Sequence, residues 1–169
     1  MYQIRRRSDH HRFTNDWLDA RWHFSFGGYY DAENISFGPL RVFNDDRIEG
    51  ESGFAIHPHW NMEIVTVLKQ GKLSHYDTIG NSGEIVPGEV QKMSAGTGIR
   101  HSEWNYEREP VRLMQIWFLP AKEGLQPGYA QQPSLRERGW LLRPRRQPLG
   151  PAAKPLGPAA KPLGPAVNR

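Results

Sequence analysis

Apolar and polar residues alternate in short bursts along this chain, with no helical period between them. Over residues 17–30, Trp22, Phe24 and Phe26 share one parity while His23 and Ser25 take the other. That is the pattern of a half-buried strand, because successive strand side chains point to opposite faces. Gly27-Gly28 ends it. Other strands are predicted over residues 2–5, over 37–43 up to the turn-forming Asn44-Asp45-Asp46, and around His57-Pro58-His59. The β-branched run 63–68, then 73–78, 90–93 and the nearly continuous apolar run 111–119 complete the set. Loops are predicted over 8–15, 50–53 and 80–83, and turns at Gln70-Gly71-Lys72 and Pro87-Gly88. No amphipathic helix precedes Pro120. Short strands with Gly, Pro or Asn turns at roughly 8–12-residue spacing predict an all-β sandwich or barrel.

The end of the chain differs in kind. Pro148-Leu-Gly-Pro-Ala-Ala-Lys154 recurs over 155–161 and, with small changes, over 162–168. Pro joins neither helix nor central strand, and these repeats carry too little apolar surface to bury. The expected organisation is a domain over 1–132, a basic connector over 133–147 and a disordered repeat tail over 148–169. Charge follows the same division. The chain has a net charge of +4, of which the segment 133–169, with eight Lys/Arg and one Glu, holds +7. That leaves −3 for residues 1–132, so the high isoelectric point is no footprint of a nucleic-acid-binding domain, and no specific nucleic-acid partner is expected. No apolar run approaches the roughly 20 residues that cross a bilayer, and the charged start lacks an apolar core. A cytoplasmic protein with no membrane partner is expected.

Cysteine is absent, which excludes disulfides, thiolate nucleophiles and sulfur-ligated zinc. Histidine is where the chemistry collects. His57 and His59 lie two apart, so they share a strand face, with Glu63 on the same face if the strand runs on. His101 and Glu103 repeat that spacing behind the glycine-rich Ala95-Gly96-Thr97-Gly98. Two such strands side by side make a nitrogen-and-oxygen cage for one divalent transition-metal ion. Fe(II) is favoured, with Mn, Ni, Co, Cu or Zn as alternatives. The competing readings are plain ones. His57 and His59 could be exposed on an edge strand bent at Pro58, and Glu63 could be a surface charge or an outer partner of a ligand. His75 shares parity with Asp77 and is expected to hydrogen-bond to it. Trp60 and Trp104 either wall the pocket or pack at its rim. His10 and His11 read as surface residues and His23 as a core-edge residue. No Gly-X-Ser-X-Gly elbow supports a hydrolase.

Residues 56–63 resemble the first metal motif of cupins, His-X-His-X3-Glu, and 98–105 resemble the second. The closer resemblance is to pirin-like proteins. It rests on Trp17-Leu-Asp-Ala, His23-Phe-Ser-Phe, Leu40-Arg-Val-Phe-Asn-Asp-Asp46, His57-Pro-His, Met62-Glu-Ile-Val-Thr66 and Met93-Ser-Ala-Gly-Thr-Gly-Ile-Arg-His-Ser-Glu103. It covers roughly residues 1–143. The resemblance implies a cupin-type β-sandwich or barrel (a jelly roll) and a metal held by His57, His59, His101 and Glu103. It also implies a quercetin 2,3-dioxygenase-like oxidoreductase taking a small aromatic substrate and dioxygen. In that reaction the flavonol 3-hydroxyl loses its proton, dioxygen adds across the central ring, and the ring opens with release of carbon monoxide. Glu103 is the expected catalytic residue, as a ligand or as the base for that proton. The alternatives are a non-catalytic metal-binding module that engages proteins, or an inactive remnant. Pirin-like proteins usually have a second cupin domain, where this chain enters its repeats. An exposed apolar face and self-association are therefore expected.

Overall fold

Residues 4–134 are described by the computed structural model, and eleven strands with no α-helix occupy them. In chain order these are β1 (His11–Thr14), β2 (Leu18–Trp22), β3 (Leu40–Ile48), β4 (Ser52–His59), β5 (Glu63–Gln70), β6 (Leu73–Asp77), β7 (Ser82–Ile85), β8 (Glu89–Ser94), β9 (Ile99–Asn105), β10 (Val111–Phe118) and β11 (Gly128–Pro133). They form a seven-stranded sheet, β1-β2-β3-β10-β5-β8-β11, and a four-stranded sheet, β4-β9-β6-β7. Every pairing is antiparallel. This is the all-β sandwich that the alternation predicts, of the cupin type that the resemblance implies.

Several boundaries move from their predicted places. Of the strand predicted over 2–5, Tyr2 and Gln3 lie outside the described residues, and Ile4 and Arg5 join no sheet. The first strand is instead β1, inside the predicted loop 8–15. Strand β2 ends at Trp22, so Phe24 and Phe26 follow the strand that their parity suggested. Asn44-Asp45-Asp46 is no turn. Strand β3 runs straight through it, burying Val42, Asn44, Asp46 and Ile48 and turning Arg41, Phe43, Asp45 and Arg47 outward. Turn propensity lost because this segment pairs on both sides, with β2 and β10. Strands β4 and β7 likewise extend into the predicted loops 50–53 and 80–83. The repeat tail lies outside the described residues, as does the connector beyond Ser134. Its first residue, Pro133, closes β11.

Two apolar clusters fill the interior. One gathers Leu18, Ala20, Trp22, Ile48, Leu68, Leu73, Ile85, Val111 and Leu113. The other gathers Val42, Met62, Ile64, Met93, Ala95, Ile99 and Trp117. A polar belt runs between them. Asn44 pairs in register with Gln115, Gln115 with Thr66, and Thr66 with Gln91. All four side chains are buried. On β3, β5 and β10 alike, polar inward positions therefore lie between apolar ones. Polar groups at the centre of a sandwich are costly unless they serve something. Their location, facing the small sheet, fixes where the site is.

Candidate metal centre

Strand β9 is the middle of the small sheet's functional half. It pairs with β4 on one side, with His57 opposite His101, and with β6 on the other, with His75 opposite Glu103 and Asp77 opposite His101. Between Phe54 and His57 the β4–β9 register slips. That bulge carries one extra residue on β4 and turns His57 and His59 toward the barrel interior beside His101. A close approach helps to hold it there: a Cβ at Gly53 would lie 2.2 Å from the Glu103 carbonyl oxygen. Beyond His59 the chain bends at Asn61, which takes a left-handed φ of 47° that Asn tolerates.

The result is a cluster in which one nitrogen each from His57, His59 and His101 lies within 4.8 Å of the others. The rings contact at centroid separations of 4.5 Å for His57–His101, 4.8 Å for His57–His59 and 4.9 Å for His59–His101. His57 Nδ1 lies 2.7 Å from the Ala55 carbonyl oxygen. A carbonyl only accepts, so Nδ1 carries the proton and Nε2 presents its lone pair. His59 Nε2 and both ring nitrogens of His101 are buried with no hydrogen-bond partner. Burial, with the neighbouring His57 ring adding to it, pushes His59 down to about 3. Burial first, and the surrounding imidazoles second, hold His101 well below the ordinary range. Both rings are therefore neutral at physiological pH, the form that binds a metal.

The carboxylates divide. Glu103 is buried at the inner face, 2% exposed. Gln115 Nε2 donates to its Oε2 at 2.6 Å, and Thr66 Oγ1 makes a longer 3.4 Å contact to its Oε1. Glu103 is outside the three-imidazole cluster but two residues from His101 on the same inward face of β9. Glu63 points the other way. The strand does not run on past His59, so the shared parity is lost. On β5 the inward positions are Ile64, Thr66 and Leu68. Glu63 instead accepts from Ser94 Oγ at 2.7 Å and pairs with Lys92 at 2.9 Å.

His75 does hydrogen-bond to Asp77, at 3.2 Å. Burial pushes the Asp77 carboxyl up, but hydrogen bonds from His75 and Asn81 outweigh it and the net direction is down. The Nδ1 of His75 is buried without a partner, and its ring centroid lies 5.3 Å from that of His101. His10 and His23 stack on each other at 3.6 Å, far along the large sheet. Trp104 sits on the outward face of β9, whereas half-exposed Trp60 lines a groove of about 310 Å³ with Pro58, His59, Thr97 and Arg100. His59 is common to that groove and to the cluster.

A pirin family pattern matches residues 4–118. The chain belongs to the pirin family. It is 50% identical over 117 residues to a pirin-like protein of Caulobacter vibrioides, covering 69% of this chain and 50% of that one. It is 46% identical over 133 residues to a quercetin 2,3-dioxygenase of Escherichia coli K12, covering 78% of this chain and 57% of that one. The crystal structure of the bacterial pirin YhhW from Escherichia coli in complex with nickel(II) matches with a TM-score of 0.74 at 45% identity, over 76% of this chain and 56% of that one. The chain spans about half the length of the curated relatives it matches.

The residues of this pirin fit a metal. Unpartnered nitrogens on His59 and His101 in the interior are costly as they stand, by about 1–3 kcal/mol each, and a cation between the rings would give one nitrogen of each a partner. Residues that the sequence did not single out also belong here: Gln115, Thr66, Asn44 and Asp46. A lone Gln inside the apolar run 111–119 was the available signal. For Glu63→Gln, metal affinity should stay within twofold of wild type and stability within about 1 kcal/mol, as for an exposed ion pair. Titration with nickel and urea melts check both.

Proposed function

We propose that this pirin domain is a metal-dependent dioxygenase that opens a flavonol-type aromatic ring, as quercetin 2,3-dioxygenases do. The observation that carries the reading is the convergence of three imidazoles, two of them buried with unpartnered nitrogens, beside a buried carboxylate. His57, His59 and His101 are the proposed ligands, with Glu103 as the carboxylate of the site. Fe(II) is the proposed ion, although the same donors accept Mn, Co, Ni or Cu. When bound, it supplies Lewis-acid and redox chemistry toward an enol and dioxygen.

The chain's own residues do the rest. Glu103 accepts the proton of the substrate hydroxyl, a step that needs a carboxylate within hydrogen-bond reach of the reacting centre. The apolar clusters on either side exclude water from it. The groove lined by Trp60 and Arg100 offers an indole face for stacking and a guanidinium for an anionic oxygen, which suits a planar aromatic enolate. The test is anaerobic loading with Fe(II), addition of quercetin and oxygen, and detection of carbon monoxide. One carbon monoxide per quercetin consumed is expected. Its absence from a folded, fully metallated sample overturns the reading.

A further inference from the structure

The carboxylate of Glu103 does not stand alone. Gln115, on the next strand in sequence, donates from Nε2 to Glu103 Oε2 at 2.6 Å. On its other side, Gln115 Oε1 accepts from Trp117 Nε1 at 3.2 Å. All three residues are at most 5% exposed. Side-chain amides can ordinarily be turned over, exchanging oxygen for nitrogen. Here the choice is forced. An indole N–H only donates, so Gln115 must show it the oxygen, and the NH₂ is left facing Glu103. The chain of bonds therefore has one direction: Trp117 to Gln115 to Glu103.

Trp117 is fixed in turn. Phe26 meets it edge-to-face at 5.4 Å, and His59 does the same at 4.8 Å. One indole thus touches a ring of the histidine cluster and orients, through one amide, the carboxylate beside that cluster. Gln115 occupies Oε2 of Glu103, while Oε1 has only the long contact from Thr66.

We propose that Gln115, locked by Trp117, is a positioning residue that makes Glu103 a one-oxygen ligand and proton acceptor, with Oε2 pinned and Oε1 left without a short hydrogen bond. This rests on the metal reading above. Without the amide, the carboxylate can rotate and offer both oxygens or neither. Gln115→Met keeps the length and burial of the side chain and removes the donor. Trp117→Phe keeps the aromatic packing and removes the N–H that fixes the amide.

The test uses the full chain, Co(II) and Ni(II) as probes, a competing chelator for affinity, and the visible absorption of the Co(II) form for coordination. Gln115→Met is expected to weaken metal binding by about 10–100-fold, as loss of an outer partner of a ligand does. Its Co(II) band should shift in position and intensity while the thermal midpoint of the metal-free protein stays near wild type. Trp117→Phe should show the same spectral shift with a smaller loss of affinity, and it carries the test if Gln115→Met does not fold. His101→Ala is the control. If it loses the metal while both other variants bind within twofold of wild type with unchanged Co(II) spectra, the positioning role is overturned and the metal reading stands. If His101→Ala binds as wild type does, the metal reading itself falls.

Discussion

Freshly purified His101→Ala should contain no stoichiometric transition metal where the wild-type chain does. Among the three imidazoles only His101 also contacts the His75 ring, besides those of His57 and His59. It is also the one with two buried, unpartnered nitrogens. Removing an outer partner of a ligand costs about 10–100-fold in affinity, so removing the ligand should cost more than about 100-fold. The fold should survive. The substitution opens a cavity, but it also deletes two orphaned polar atoms, and these effects oppose each other. Elemental analysis beside circular dichroism separates loss of metal from loss of structure. Metal content equal to wild type in a folded variant would remove the histidine cluster as the site.

The second large effect belongs to Asp46. Burial, then the neighbouring carboxylates Glu103 and Asp45, push its carboxyl up to about 8, from an ordinary value of 3.8. Its Oδ1 is buried without a partner. Below pH 3.8 both folded and unfolded chains hold this proton. Above it the unfolded chain releases the proton and the folded chain keeps it, so Asp46 lowers stability progressively as pH rises toward 8. The buried imidazoles act in the opposite sense. His59 is held down to about 3 and His23 to about 4, both first by burial, so their contribution falls as pH drops below 6.5. Between pH 6.5 and 8 the last imidazole protons leave the unfolded chain, which offsets part of the Asp46 slope. At about 1.4 kcal/mol per pH unit, Asp46 by itself should cost the metal-free protein about 2 kcal/mol across that window. Asp46→Asn, which keeps the shape and cannot ionise, should abolish the decline and leave the acid limb intact. Urea melts at pH 6, 7 and 8 measure both. A decline that persists in Asp46→Asn would refute the assignment.

How much of this could be read from the sequence depends on which force decides each element. The histidines were legible because a two-residue spacing has one structural meaning in a strand, and the turn-rich, helix-free chain supplied the strands. Glu103 over Glu63 was an implication of the resemblance, and the bend at Asn61 takes Glu63 off the inward face. The bulge after Phe54 was not legible, since nothing in Ala55-Ile56 marks an extra residue. Strand β3 was misread through Asn44-Asp45-Asp46. Local propensity favours a turn there, and only two flanking strands, one from far along the chain, make it extended. The amide of Gln115 became meaningful only when Glu103, twelve residues away, appeared opposite it.

The polar belt has a consequence for how the domain can change over time. It separates the apolar interior into two compartments that share strands but form distinct clusters of side chains. A void opened at Leu113 relaxes among Leu68, Val111 and Ile48, and one at Val42 relaxes among Ile64, Met93 and Trp117. Damage on the two sides should therefore sum with little reinforcement, except where it reaches Phe26, which packs against both clusters. The seam itself contributes little cohesion, so its residues are free to vary in chemistry while both halves keep their packing. A lineage built on this plan can exchange one reaction for another at the seam and inherit the stability of the barrel unchanged.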